Sequence, residues 1–299
     1  MNIIKSCYFL YLFALSLLFV SCTSSESQFL IGGSGWDNIA IVNNSGEKLW
    51  AHQLIGNEEC NSVCFVGENK VLYSFKQGVK LIDLTHQVLW EYRCREGSEI
   101  HSASIMKDGN FLIGECGNPA KIYEFTPLGK KILEISFDTG IESAHSQFRR
   151  VYKTDNGTYL VPVLANNCIY EVDKSGQVVK QISPGVSVFS IEFLKNKNWL
   201  LSCGDQHQLV EFNPLKQEIV WKLTKNDIDG LPLHFVAETI RLKNGNTIIC
   251  NWGGHTKGDV ESAQVFELDT NNNLVWKLED HEKFGNVSCI HPLLHYIAL

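Results

Sequence analysis

A short apolar run recurs along this chain at a nearly constant interval, and this repeat constrains the fold more than any other feature. Six copies begin between Phe29 and Thr247, at a mean spacing of about 44 residues, which is the length of one β-propeller blade. The copies occupy residues 29–32, 71–74, 111–114, 159–162, 199–202 and 247–250. The chain is therefore predicted to consist of blade-sized repeats.

Each copy is followed by a second apolar run, as at residues 88–90 and 274–276. Apolar and polar residues alternate between the two runs, for example over 121–125, and turn residues such as Ser175-Gly176 end these segments. The N-terminal run aside, no segment has ten or more residues with apolar spacing of period 3.6, so helix content is expected to be very low. This pattern predicts an all-β fold with four strands in each blade.

The two ends of the repeat region complement each other. The copy that begins at Phe29 lacks an innermost strand, whereas residues 286–291 form a strand-like segment after the last repeat. Pairing these ends would close the ring and remove an exposed sheet edge. We therefore predict a six-bladed β-propeller, closed by the C-terminal strand, in which residues 29–299 form a single domain.

The first 22 residues have the pattern of an export signal. Lys5 precedes a mostly apolar run over residues 7–20, which is too short to cross a bilayer as a stable helix. The run ends in Val20-Ser21-Cys22, and a polar stretch follows. This resembles the lipobox of bacterial lipoproteins, in which the peptidase cuts before a cysteine whose thiol carries lipid. A plain secretory signal with an incidental cysteine is the alternative.

The lipobox resemblance implies a signal peptide over residues 1–21, lipidation at Cys22 and a polar tether over 22–28. Acyl chains such as palmitate would anchor the mature protein stably. The expected location is a membrane of the bacterial cell envelope, namely the outer membrane, on its periplasmic or surface side.

The charge balance and the cysteine content exclude other classes of function. Lys and Arg total 26 against 33 Asp and Glu, a net charge of −7, so nucleic acid is not expected as a partner. Ten cysteines are too sparse for a disulfide scaffold, and buried reduced thiols are the default expectation. Cys60 and Cys64 are a weak disulfide candidate.

Several repeats resemble those of known propeller families. Residues 46–50, 173–179 and 269–276 are similar to the tryptophan-bearing repeats of propellers related to pyrroloquinoline quinone enzymes. No Cys-Cys pair occurs in the chain, so no quinone or other cofactor is expected. Residues 101–102, 108–110 and 144–150 resemble inner strands of arylsulfotransferase-like propellers. That resemblance implies a catalytic histidine, with His101, His145 and His234 as candidates and Arg149 as an anion-binding cation.

Loops that enter the inner strands, and loops between second and third strands, gather on one face of a propeller. The polar, cysteine and aromatic residues in these loops are Trp36, Glu99, His101, Cys116, Asn118, His145, Arg149, Asn166, Asn167, Asp205, His207, His234, Trp252 and His255. Of these, the candidate ligand-binding residues are Arg149, Asn118, Asn166, Asp205, His207, Trp252 and His255. Histidine, amide and indole groups suit a glycan or a small anionic ligand, and they suit an envelope protein equally well.

Two functions follow from these residues. We favour a lipid-anchored binding or interaction module, because no pair of catalytic carboxylates and no nucleophile beside a base occurs at a defined spacing. The alternative is a group transferase or lyase that acts at the histidine-lined face. His207 and His255 match no zinc signature, so no metal is expected, and the Gly-x-Ser-x-Gly pattern of serine hydrolases is absent.

Overall fold

The computed structural model describes residues 27–56, 58–67, 69–255 and 262–293. The predicted signal peptide, Cys22 and most of the predicted tether lie outside this range. Within it, 24 β-strands form six four-stranded antiparallel sheets, which are the blades of a propeller. The all-β, six-bladed fold predicted from the repeat is therefore confirmed. Among the described residues, no helix is long and apolar enough to span a bilayer.

The blades are numbered in chain order, beginning with the blade that contains the N-terminal strand. Blade 1 comprises β1 (Gln28–Gly32), β2 (Asn38–Asn43), β3 (Lys48–Gln53) and the C-terminal β24 (Cys289–Leu293). Blade 2 comprises β4 (Ser62–Val66), β5 (Lys70–Phe75), β6 (Gly78–Asp83) and β7 (Val88–Arg93). Blade 3 comprises β8 (Glu99–Ile105), β9 (Phe111–Cys116), β10 (Ala120–Phe125) and β11 (Lys131–Phe137).

Blade 4 comprises β12 (Tyr152–Lys153), β13 (Tyr159–Val163), β14 (Cys168–Val172) and β15 (Val178–Ile182). Blade 5 comprises β16 (Ser190–Phe193), β17 (Trp199–Ser202), β18 (Gln208–Asn213) and β19 (Glu218–Thr224). Blade 6 comprises β20 (Phe235–Arg241), β21 (Thr247–Trp252), β22 (Val265–Leu268) and β23 (Leu274–Leu278). Two single 3₁₀ turns, Ala144–Ser146 and Leu164–Asn166, lie in the loops before and within blade 4.

A repeated aspartate explains the tight hairpins between third and fourth strands. In blade 4, the Asp173 carboxylate accepts hydrogen bonds from the backbone N–H groups of Ser175 and Gln177 at 2.8 and 3.0 Å. Gly176 then has a φ of 88°, a backbone conformation that residues other than glycine rarely adopt. Asp83 and Asp269 bind the corresponding turns of blades 2 and 6 in the same way. These side chains stop one strand and start the next.

The C-terminal strand closes the ring, as the sequence predicts. Strand β24 pairs with β1 over five residues, with His291 opposite Leu30 and Cys289 opposite Gly32. It thereby becomes the innermost strand of blade 1. The edge of β1 is covered, and no blade lacks its inner strand.

The core consists of six apolar clusters, each of which lies between two neighbouring blades. Phe29 and Ile31 of blade 1, for example, pack with Ile248 and Cys250 of blade 6. The tryptophans that end the repeats pack against these clusters at their outer edges. They are Trp50, Trp90, Trp221 and Trp276. Large aromatic side chains suit this position because the space between blades widens toward the rim.

The described cysteines are free thiols, and seven of the eight are buried. The predicted Cys60–Cys64 disulfide is wrong, because the two sulfurs have other neighbours. Cys60 Sγ lies 3.8 Å from Cys289 Sγ, whereas Cys64 Sγ lies 4.0 Å from His291 Nδ1. Cys64 lies within strand β4 and Cys60 precedes it, so the strand carries the two side chains to different neighbours.

Candidate functional site

A cavity of about 430 Å³ opens among the loops of blades 4, 5 and 6, a size typical of small-molecule sites. We call it the top-face cavity. Its lining comes from the loops that enter blades 4 to 6 and from the loops between second and third strands, as the sequence predicts. The lining residues are His145, Ser146, Arg149, Leu164, Ala165, Ser187, Phe189, Cys203, Gly204, Asp205, Gln206, Phe235 and His255.

One wall of the top-face cavity is backed by a carboxylate that joins two histidines. Glu99 Oε2 lies 2.9 Å from both His101 Nε2 and His145 Nδ1. Its other oxygen, Oε1, lies 3.0 Å from Lys76 Nζ. The hydrogen bonds from His101, His145 and Lys76 hold the pKa of Glu99 well below its usual range. Glu99 is therefore ionised at neutral pH and fixes the ring of His145.

The two histidines have different environments. His101 is 3% exposed, and burial lowers its pKa to about 4, so the ring is neutral at pH 7. His145 is exposed at the rim of the cavity, where its side chain is 65% accessible. The two rings lie nearly perpendicular, with their centroids 5.5 Å apart. Only His145 is placed to contact a molecule in the cavity.

Arg149 fixes the tautomer of His145. Its Nη2 lies 3.2 Å from His145 Nε2, and its Nη1 donates to the backbone carbonyls of His145 and Phe148 at 2.7 and 3.3 Å. Because a guanidinium can only donate, Nε2 of His145 must accept, and the imidazole proton therefore lies on Nδ1, toward Glu99. Burial lowers the pKa of Arg149 from a very high starting value.

The opposite wall combines a second histidine–carboxylate pair with aromatic rings. His255 Nδ1 lies 2.9 Å from Asp205 Oδ1, which links blade 6 to blade 5. The His255 ring packs edge-on against Trp252 and Phe235, with centroid distances of 4.7 and 5.4 Å. Phe235 in turn contacts Phe189 at 5.0 Å. The phenylalanine rings make the inner part of this wall apolar, and His255 and Asp205 make its rim polar.

Glu99, His101 and His145 could in principle hold a metal ion, because one ligand atom of each lies within 4.8 Å of the others. Two features argue against a resident cation. A metal-bound histidine normally donates its second ring N–H to an acceptor, yet His101 Nδ1 is buried without a partner among the described residues. The cationic groups of Lys76 and Arg149 also adjoin the three residues.

Six predicted site residues do not line the top-face cavity, namely His101, Asn118, Asn166, His207, His234 and Trp252. Asn118 Nδ2 donates to the Glu142 carbonyl, and Asn166 Nδ2 donates to the Thr139 carbonyl and to the Tyr170 hydroxyl. His207 Nδ1 lies 2.6 Å from the backbone carbonyl of His234. These groups hold loops in place.

The structure brings His145, Arg149, Asp205 and His255 into the cavity lining, with His101 and Trp252 behind them. No role for Glu99 is predicted from the sequence, and Phe189 and Phe235 are not among the predicted residues. Glu99 precedes His101 by two residues on β8, a spacing that places side chains on one face of a regular strand. The two side chains meet here although the pairing with β9 shifts between Ile100 and Ser102. That spacing could have indicated the pair, whereas nothing local distinguishes the two phenylalanines from core residues.

Fold and site together define a six-bladed propeller with a polar-rimmed, ligand-sized cavity on one face. A family model described as Mal s 1 allergenic protein-like matches residues 35–273, and the chain belongs to this family. None of the curated proteins matches this chain. The resemblances to quinone-type repeats and to arylsulfotransferase-like propellers stay predictions.

The solved structures extend the comparison. A protein of unknown function from Bacteroides caccae is 38% identical, with a TM-score of 0.86 and coverage of 91% of this chain and all of that one. Virginiamycin B lyase from Staphylococcus aureus, in a catalytically inactive form with quinupristin, is 13% identical with a TM-score of 0.56, and 86% of each chain is covered. A streptogramin B lyase is 11% identical with a TM-score of 0.58, covering 89% of this chain and 98% of that one. The two lyases share the fold alone.

Proposed function

We propose that the protein binds a small organic anion in the top-face cavity. The observation that carries this proposal is the state of Arg149, which lines the cavity but has no carboxylate within salt-bridge distance among the described residues. Its contacts are two backbone carbonyls and the Nε2 atom of His145. The charge of Glu99 acts on the Arg149 guanidinium, but no carboxylate contacts it directly. A half-buried guanidinium with its direct contacts to neutral acceptors alone favours an anionic partner.

The rest of the cavity suits the organic part of such a ligand. Phe189 and Phe235 offer apolar surface beside the cation, and His145 and His255 offer polar ring atoms at the rim. A carboxylate, sulfate or phosphate group on Arg149, with a sugar or aromatic ring against the phenylalanines, would use both kinds of surface. Acidic sugars and aryl anions are the ligand classes that this arrangement fits best.

Calorimetric titration with matched pairs of probes tests the proposal. We expect glucuronate and 4-nitrophenyl sulfate to bind, and their neutral counterparts, glucose and nitrobenzene, to bind at least tenfold more weakly. Arg149→Met should weaken anion binding by about 10-fold to 100-fold, because a charge-assisted hydrogen bond contributes about 1.5–3 kcal/mol.

Arg93→Met is the matched control. Arg93 is an exposed arginine of strand β7 that pairs with Glu91, away from the cavity, and its loss should leave anion binding unchanged. The proposal fails if neither anion binds at millimolar concentration, or if Arg149→Met and Arg93→Met behave alike.

A second function, acid–base catalysis, is favoured by the Glu99–His145 pair. A carboxylate that accepts a hydrogen bond from Nδ1–H orients an imidazole and stabilises its protonated form. Nε2 of His145 can accept a proton at the cavity once Arg149 turns from it to a bound anion. Arylsulfotransferase-like chemistry is tested by incubating the protein with 4-nitrophenyl sulfate and phenol and measuring 4-nitrophenolate. His145→Gln should abolish release while the sulfate ester still binds. Binding without any release supports the binding module instead.

We further propose that the protein is anchored to the cell envelope through Cys22. The proposal rests on the lipobox-like sequence before this residue, which lies outside the described residues. Cys22→Ala should abolish incorporation of labelled palmitate and leave the precursor uncut, because the thiol is the acylation point. Unchanged labelling and membrane fractionation of the variant would exclude the lipoprotein assignment.

A further inference from the structure

Two buried thiols meet where the ring closes. Cys289 is the first residue of the closing strand β24, and Cys60 lies in the segment that leads from blade 1 to blade 2. Their sulfurs are 3.8 Å apart, and both residues are 0% exposed. No other two sulfurs among the described cysteines lie within hydrogen-bonding distance of each other. The pair is therefore distinct from the remaining buried thiols.

A glycine in the neighbouring strand makes room for the Cys60 thiol beside Cys289. Gly32 of strand β1 lies opposite Cys289 in the sheet. A Cβ at Gly32 would lie 2.8 Å from Cys60 Sγ, so a side chain at this position would displace the thiol. The sulfurs must come about 1.8 Å closer to reach bonding distance, and side-chain rotation toward each other is the simplest route.

We propose that Cys60 and Cys289 are the site of a disulfide bond that covalently closes the propeller ring. Without this bond, ring closure depends on the pairing of β24 with β1 and on packing, since the two strands come from opposite ends of the chain. The cross-link joins residues that are 229 positions apart. Its effect on the unfolded chain is large, because a disulfide stabilises more when it closes a longer loop.

The bond requires an oxidant, and a small-molecule disulfide such as oxidised glutathione is sufficient. One cysteine thiolate attacks the glutathione disulfide, forms a mixed disulfide and releases one glutathione. The second cysteine loses its proton, attacks the mixed disulfide and releases the other glutathione. Overall, two protein thiols lose two protons and two electrons, and oxidised glutathione becomes two reduced molecules.

Burial determines when this exchange takes place. Both sulfurs are inaccessible in the closed ring, and burial raises the pKa of Cys289 well above its usual value. The reactive thiolate is therefore available while β24 is undocked, during folding, and the folded protein with reduced thiols resists oxidation. The export signal predicted for residues 1–21 would deliver the folding chain to an oxidising compartment.

The test is to unfold the mature chain with denaturant and dithiothreitol, and to refold it either with a glutathione redox pair or with dithiothreitol. Unreduced digests of the glutathione sample should contain a peptide that joins Cys60 to Cys289, two mass units lighter than its parts. The thiol count under denaturing conditions should fall by two. The melting temperature should exceed that of the dithiothreitol sample by on the order of 5–10 °C.

Cys289→Ser should remove the linked peptide and the difference in melting temperature between the two samples. Cys250→Ser is the matched control, because Cys250 is equally buried on a strand of the neighbouring blade, and here both the peptide and the difference should persist. If Cys289→Ser does not fold, the peptide map of the wild-type chain decides. A folded glutathione sample without the linked peptide, or with it but without a higher melting temperature, would overturn the proposal.

Discussion

Arg150 joins most of the blades at the centre of the ring, and its replacement is the sharpest test of how this propeller is held together. Its Nη1 donates to the backbone carbonyls of Asn61, His101 and Arg149 at 3.1, 3.2 and 2.8 Å. Its Nε lies 3.2 Å from Glu238 Oε1 on strand β20, and Glu238 Oε2 accepts from the backbone N–H of Ile290. Blades 1, 2, 3, 4 and 6 thereby share one network.

Arg150→Met keeps the length of the side chain and removes the charge. Arg150 is 7% exposed. Burial, the largest single influence, lowers its pKa, but the charge and hydrogen bond of Glu238 together with neighbouring groups raise it more, so the net shift is upward. The variant leaves Glu238 without its counter-ion and removes the hydrogen bonds from Arg150 to three backbone carbonyls. Removing one partner of a buried ion pair costs about 3–5 kcal/mol. We expect a loss near the lower end, about 3 kcal/mol, because Ile290 still donates to Glu238.

Thermal and urea unfolding measure this loss. A change of about 3 kcal/mol should lower the melting temperature by roughly 6–12 °C in a domain of this size. Glu238→Gln in the Arg150→Met background should recover part of the loss, because it removes the uncompensated charge. Arg149→Met is the control, since it removes a neighbouring arginine at the rim of the cavity. Equal losses below about 1 kcal/mol for both arginine variants would refute the network as a source of stability.

Two further predictions concern pH and ring closure. Burial raises the pKa of Glu192 from its ordinary value of 4.5 to about 7. Between pH 4.5 and about 7, the folded state therefore retains a proton that the unfolded state loses. The free energy of unfolding should fall by roughly 1–3 kcal/mol as the pH rises through this window. Urea unfolding of Glu192→Gln should lack this part of the slope, and an identical pH profile for both proteins would contradict the assignment. Deleting residues 289–299 removes β24 and exposes the edge of β1. The truncated chain should therefore melt far below the full chain or aggregate. An unchanged melting temperature would show that ring closure contributes little to stability.

The blade architecture could be predicted because its signals are local and repeated. Each apolar run, and each turn such as the one at Asp173, is specified by a few neighbouring residues. Six imperfect copies of the same pattern make the prediction of a repeated blade stronger. Closure followed from the missing inner strand before Phe29 and the additional strand at the end of the chain. These features depend on strand period and sheet edges, which sequence patterns record directly.

The candidate site was predictable only in part. Topology indicated which loops gather on one face, but not which side chains are free there. Asn118 and Asn166 have the same polar character as Arg149, yet backbone carbonyls of the connection between blades 3 and 4 occupy their amides. The neighbours Arg149 and Arg150 cannot be told apart by composition, and one lines the cavity while the other is buried.

The central network and the top-face cavity depend on each other through the backbone. Two of the three carbonyls that Arg150 binds belong to His101 and Arg149, which form or back one wall of the cavity. The Arg150 guanidinium also lies 5.8 Å from the ring of Phe189, which lines the same cavity. The cavity wall is therefore fixed by the interactions that hold the blades together. A site fixed in this way loses little conformational entropy when it binds a ligand, which favours a rigid, pre-formed recognition surface over one that orders on binding.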